Sequence, residues 1–167
     1  IDGIDVVGLY EIHDALCAQN PELVRCSLTF DDKDQTLGDR IATIAALMRC
    51  EVSDDGDGYY FVRDEPRSVV VAQFDGHNIA SDGFSQTYSF LVADQVTGVK
   101  LQWVDVEDKN KKRYIYLTLD SNGNIIEGQS AHPTEIEFTG CGNETQAYGK
   151  AYYEMRKLMY RNLTVQF

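Results

Sequence analysis

The chain has 167 residues, 43% of them hydrophobic and 25% charged, which is apolar material enough for one ordinary domain or two small ones around a real core. Lys and Arg number 15 against 27 Asp and Glu, a formal net charge of -12; stable nucleic-acid binding is not expected, because it needs clustered cations to displace counterions from phosphates. No apolar run approaches the roughly 18 residues that cross a bilayer as a helix, so no membrane insertion is expected.

The first predicted element is a helix over Gly8 to Ala18, with Leu9, Ile12, Leu16 and Cys17 at helical spacing. Asn20-Pro21 ends it. Val24, Cys26, Leu28 and Phe30 then alternate, which predicts a half-buried strand, and the polar run Asp31 to Asp34 predicts a loop. Thr36 is placed to cap a second helix, with Asp39 favouring its N-terminus. Leu37, Ile41, Ile44, Ala45 and Met48 form the stripe of that helix; Ala42, Ala46 and Leu47 widen it, so it should be well buried. Cys50 to Val52 and Tyr59 to Val62 read as two strands around the turn Ser53-Asp54-Asp55-Gly56-Asp57-Gly58, a strong hairpin signal.

Asp64-Glu65-Pro66 breaks this pattern. Ser68 to Phe74 predicts another strand, followed by loops at Asp75 to Asn78 and Ser81 to Gly83. A boundary placed here divides the chain into residues 1–75, an α+β unit of helices and a hairpin, and residues 76–167, a β-rich unit closed by a C-terminal helix and strand. In the second unit Phe84 to Val92 is one predicted strand; a second carries Val99, Leu101, Trp103 and Val104. The basic run Lys109 to Arg113 follows Asp105, Glu107 and Asp108 and joins that strand to Tyr114–Leu119, a solvated hairpin with arms of roughly 8 residues. Asp120 to Asn124 is a further turn, and Thr134 to Phe138 a short strand. Asn143 can cap the last helix, with Gln146 three residues on as in a capping box. Ala147, Ala151, Met155, Leu158 and Met159 stripe that helix, and Lys157 and Arg161 suit its C-terminal end. Asn162 can end it before the strand Leu163 to Phe167. The fold class is therefore α+β. The chain opens on Ile1 and stops inside an apparent strand, so it reads as an internal piece of a longer protein.

Chemistry is hard to place on this sequence. Ser53, Asp55, Asp57, Gly58 and Asp64 approximate the spacing of a calcium loop, but Asp64 is too short for the usual bidentate Glu, and strand-formers follow where a helix is required. A plain hairpin turn accounts for them better. Cys17, Cys26, Cys50 and Cys141 form no CxxC pair, and no His stands at metal-finger spacing; reduced, mostly buried thiols are expected. His13 lies beside the first apolar stripe and should be partly buried, while His77 and His132 fall in loops. No GxSxG, GxGxxG or GxxxxGK is present. Gly140-Cys141-Gly142 before a helix could offer amides to an anion, but reads first as a tight strand-to-helix turn. No catalytic residue, cofactor or metal ligand is assigned. Tyr148, Tyr152, Tyr153 and Tyr160 are too many for one narrow buried face, so some should meet a neighbouring subdomain or subunit.

Thr134-Glu-Ile-Glu-Phe-Thr-Gly-Cys-Gly-Asn143, then Gln146-Ala147, a helix rich in Ala, Tyr and Arg, and Asn162-Leu-Thr-Val-Gln-Phe167 resemble the tail-tip hub, or host-specificity, proteins of lambda-type siphophages. Leu9-Tyr-Glu-Ile12, Leu37-Gly-Asp-Arg-Ile41, Phe61-Val-Arg-Asp-Glu-Pro66 and Val99-Lys-Leu-Gln-Trp-Val-Asp105 fit the same family in order. Tyr148 and Gly149 depart from it, standing where larger basic residues are common. The resemblance implies a structural part of a phage or prophage tail tip, assembled in the bacterial cytoplasm. Such proteins form a trimeric ring that closes the tail tube and contacts neighbouring tail proteins, with receptor-binding parts elsewhere and no catalysis in this region. The alternative is a secreted carbohydrate- or receptor-binding module that uses Trp103 and surface tyrosines as a stacking platform; an enzyme ranks third.

Overall fold

Asp5 opens the first helix by accepting a hydrogen bond from the Gly8 amide at 2.9 Å. That helix, α1, spans Val6–Gln19 and ends where Asn20 turns extended. The computed structural model describes residues 3–31, 34–54, 56–63, 65, 85–88, 97–160 and 163–166. The predicted strand Ser68–Phe74, the loops after it and His77 lie outside them.

The segment after α1 is not the predicted strand. Pro21–Val24 form a 3-10 turn, with Pro21 in its first turn and Glu22 N donating to Asn20 Oδ1 at 3.0 Å. Residues 25–30 run on without strand structure. Ser27 N donates to Gly140 O at 2.9 Å, and Leu28 closes over Gly140, which has no Cβ to hinder it and sits at φ +82°. Leu28 therefore reaches the core while Cys26 is exposed, contrary to the expected buried thiol.

Helix α2, Leu37–Leu47, carries the predicted cap in full. Asp39 N donates to Thr36 Oγ1 at 3.2 Å and Thr36 N to Asp39 Oδ2 at 3.0 Å. Thr36→Ala should lower stability by about 1 kcal/mol, read as a shift in the urea midpoint with an unchanged slope. The expectation of a well-buried helix fails: Leu37 is 65% and Ile44 40% exposed, and the buried positions are Ala45 and Leu47. The helix is packed on one narrow line, so the wide apolar stripe is only partly used.

Two five-residue strands follow, β1 (Cys50–Asp54) and β2 (Tyr59–Arg63), paired antiparallel from Cys50↔Arg63 to Asp54↔Tyr59 as the turn sequence predicts. Within the predicted strand Phe84–Val92, β3 covers Ser85–Tyr88. The central sheet holds β4 (Gly98–Asp105), β5 (Lys111–Leu119), β6 (Ile125–Glu127) and β7 (Pro133–Glu137) in the order β6-β5-β4-β7. The hairpin β4–β5 is the predicted one; β7 lies parallel to β4, with Leu101 opposite Ile136.

Alternation puts Val99, Leu101, Trp103, Ile115 and Leu117 on one face of this sheet. The last helix, α3 (Glu144–Tyr160), covers that face with Ala147, Ala151 and Met155, all fully buried. The two alanines hold no bulk at the contact, so the helix can lie close to the sheet. Leu47, Phe138 and Cys141 complete this cluster. Strand β8, Leu163–Gln166, pairs antiparallel with β3. The architecture is α+β, and no helix among the described residues is long and apolar enough to cross a membrane.

Asn143 caps α3 as predicted, accepting from Gln146 N at 2.8 Å. Gln146 does not complete the box. Its side-chain amide donates outward to Leu23 O at 3.1 Å and Leu47 O at 3.4 Å, tying α3 to the 3-10 turn and to α2.

Burial at the head of α3 pushes the Cys141 thiol up to about 11. Because the folded value lies above the ordinary thiol value, the stability this thiol contributes is full below roughly pH 9 and is lost as pH rises toward 11. Cys141→Ala should flatten that part of the alkaline stability curve, by at most about 2 to 3 kcal/mol. Urea midpoints of both proteins between pH 8 and pH 11 check it.

Candidate functional site

The end of α2, the open end of the β1–β2 hairpin and the outer face of α3 enclose a cleft of about 450 Å³. Four cations line it: Arg49, Arg63, Lys150 and Lys157. On a chain of net charge -12, such a concentration needs a cause.

Each cation arrives by a local rule. Arg49 occupies the position just past the helix end, where Met48 N and Arg49 N bond back to Ala45 O and Ala46 O at 3.0 and 3.1 Å. Its φ is +58°, the left-handed conformation that this position favours and that glycine usually supplies. Arg63 is the last residue of β2, paired with Cys50, and is only 9% exposed. Its Nη1 lies 3.5 Å from Glu65 Oε2 and is buried without a hydrogen-bond acceptor among the described residues. Lys150 and Lys157 stand two turns apart on α3, and both ammonium groups lie over the Tyr153 ring, 5.6 and 5.4 Å from its centroid.

Glu154 joins the two lysines, with Oε1 at 2.8 Å from Lys150 Nζ and Oε2 at 3.3 Å from Lys157 Nζ. Its burial raises the carboxyl pKa, but the two ammonium groups outweigh this and hold it below the ordinary value. Arg49 has no such partner: among the described residues no ion pair reaches it. Burial first, then the Arg63 guanidinium beside it, lowers its pKa. With Glu51, Glu65 and Glu154 counted, the cleft holds four cations against three carboxylates. It can receive an oxyanion. It is a poor place for nucleophilic chemistry, because burial raises the Cys50 thiol and so disfavours the thiolate.

Arg49 should limit the stability of its own fold. Arg49→Gly removes a half-buried guanidinium facing another and relieves a left-handed backbone. We expect stabilisation of on the order of 1 kcal/mol, seen as a higher urea midpoint.

The other sequence features are placed as follows. In the turn at residues 53–58, Asp54 Oδ1 accepts from Gly56 N at 2.9 Å, and Gly56 takes φ +88°, as a hairpin turn requires. Asp55 and Asp64 lie outside the described residues; among the described ones, no group of three His, Cys, Asp or Glu is arranged to hold a metal. Asp120 accepts from the Asn122 and Asn124 amides at 2.8 Å each, an ordinary turn. Trp103 is only 5% exposed, inside the core.

One contact escaped the sequence reading. His13 Nδ1 lies 3.1 Å from Asp14 Oδ1, and His13 Nε2 lies 3.6 Å from Cys17 Sγ, within a single turn of α1. His13 is exposed rather than partly buried, because the apolar stripe of α1 turns it outward. The group lies on the exposed side of a helix, where water competes at any reacting atom.

A second cleft, of about 440 Å³, gathers Glu22, Asp105, Glu107 and Glu144 around Arg113 near the start of α3. Arg113 is bound there by Asp105 and Asp108 at 3.4 and 2.9 Å. The cationic cleft was not foreseen because Arg49 and Arg63 stand far apart in sequence and meet only through the hairpin register; Lys150 and Lys157 on one helical face were the one visible signal. No protein-family model matches this chain, and no curated protein matches it significantly.

Proposed function

We propose that this chain is a structural element of a phage or prophage tail tip: part of a central hub that closes the tail tube, associates with other copies as a trimer, and performs no catalysis. The observation that carries the reading is the ordered succession of hub-like motifs from Leu9-Tyr-Glu-Ile12 to Leu163-Thr-Val-Gln-Phe167. Burial of Trp103 supports it against the rival, since a core tryptophan offers no face for stacking on a sugar. Exposed aromatic side chains on several elements, among them Tyr10, Tyr60 and Tyr160, fit a protein whose surface meets partners. Interfaces in a closed ring should each bury on the order of 1,000 Å² or more.

Deleting the parent gene in an inducible prophage, followed by electron microscopy of the lysate, tests the proposal. Tails with an open or missing tip, restored by the gene in trans, are the expected result. Normal, infective tails from the deletion strain would reject it.

A further inference from the structure

The run His13-Asp14-Ala15-Leu16-Cys17 sets a His and a Cys four residues apart on α1, so the two side chains leave one face of the helix a turn apart. Leu16 between them is the buried residue of the helix and fixes its roll, which leaves His13 exposed and Cys17 half-buried. Val6 and Tyr10 fall on the same stripe by their helical spacing and are exposed as well. A second molecule can therefore reach this face.

His13 Nε2 stands 3.6 Å from Cys17 Sγ. A zinc ion holds sulfur at about 2.3 Å and nitrogen at about 2.0 to 2.1 Å in a tetrahedron, which sets the two donor atoms roughly 3.6 Å apart. The pair already has the bite of tetrahedral zinc. The other ring nitrogen agrees with this: Asp14 Oδ1 lies 3.1 Å from His13 Nδ1. An ionised carboxylate only accepts, so Nδ1 carries the hydrogen and Nε2 keeps its lone pair for a metal. A carboxylate on the far nitrogen is the usual support of a metal-bound histidine. Imidazole and thiolate select zinc over magnesium and calcium, which take oxygen.

We infer that His13 and Cys17 are one half of a zinc site, completed by the same pair from a second copy of this chain. One chain supplies too few ligands, since among the described residues no group of three His, Cys, Asp or Glu is placed to hold a metal. Structural zinc takes four protein ligands. Two copies facing each other across a two-fold axis give two sulfurs and two nitrogens, and the contact is isologous. Each thiol gives up its proton to solvent on binding, so two thiolates balance the charge of the ion and two protons are released per zinc. A net charge of -12 on each chain opposes pairing without the metal. A two-fold contact cannot close a ring of three, so this bridge is additional to the assembly proposed above and is tested apart from it.

Zinc chloride titrated into the chain, followed by sedimentation velocity, is the test; a phosphine reductant keeps the thiols from pairing as disulfides. The mass seen with a chelator present should double as zinc reaches one ion per two chains, and more chelator should reverse it. Cobalt in place of zinc should give the absorption of a tetrahedral site with thiolate ligands. His13→Ala and Cys17→Ser should each abolish the doubling, with circular dichroism confirming that both variants fold. Asp14→Asn should weaken zinc affinity by about 10- to 100-fold and leave the cobalt spectrum in place, the mark of a residue that positions His13. Cys26→Ser, which removes the exposed thiol, should change neither. Doubling that survives in either ligand variant would overturn the inference. So would zinc bound one to one without doubling, or zinc binding no stronger than that of the His13→Ala/Cys17→Ser double variant. None of these results bears on the prophage deletion experiment.

Discussion

Trp103→Ala should lower stability by about 3 to 5 kcal/mol and the melting temperature by roughly 10 °C, without a separable loss of any surface activity. Trp103 stands on β4 opposite Arg113, with its indole on the face that α3 covers, between Leu101 and the Phe138–Cys141 corner. Truncation would leave a cavity bounded by a sheet on one side and a helix on the other. Neither can collapse far, because the sheet is fixed by its ladder and α3 by Ala147 and Ala151. A glycan-binding module would behave in the opposite way: an exposed tryptophan would be lost at little cost to folding and with complete loss of binding. Thermal unfolding of the variant beside a glycan-array comparison separates the two.

What was legible in the sequence was local. The first helix, the Thr36–Asp39 cap, the turn at residues 53–58 and the β4–β5 hairpin each follow from residues within a few positions of one another, where period, capping and turn chemistry act directly. The misses share a different cause. Val24 to Phe30 alternates as well as any strand, but alternation makes a strand only where an open ladder edge receives it; here Leu28 is drawn instead onto Gly140, more than a hundred residues away. The stripe of α2 predicts a wide buried face, but burial depends on which elements lie against it, and Leu37 and Ile44 stay exposed. The cationic cleft was illegible for the same reason. Arg49 and Arg63 are ordinary residues at the ends of two elements until the register Cys50↔Arg63 brings them together.

Gln146→Leu should cost about 2 to 4 kcal/mol although it replaces a polar side chain by an apolar one of similar size. A capping-box role would predict far less, since Asn143 would still cap the helix through its own side chain. The larger figure follows from where the amide points. Its Nε2 donates to Leu23 O, inside the 3-10 turn, and to Leu47 O, at the last residue of α2. Leu at this position would leave both carbonyls facing an apolar wall, each at a cost of roughly 1 to 3 kcal/mol. Part of this cost is offset, because Gln146 Oε1 is itself buried without a donor among the described residues and its removal is a gain. The loss should also have a direction. Asn143 Nδ2 still holds Glu22 O at 3.0 Å, so the 3-10 turn keeps one tether, while the last turn of α2 loses its link to the α3 backbone region. Hydrogen exchange should therefore quicken first at Met48, Arg49 and Cys50, with the β4–β5 ladder less affected. Uniform acceleration across the sheet and α2 alike would show that Gln146 is only one core residue among others, and that these elements do not depend on it for their mutual placement.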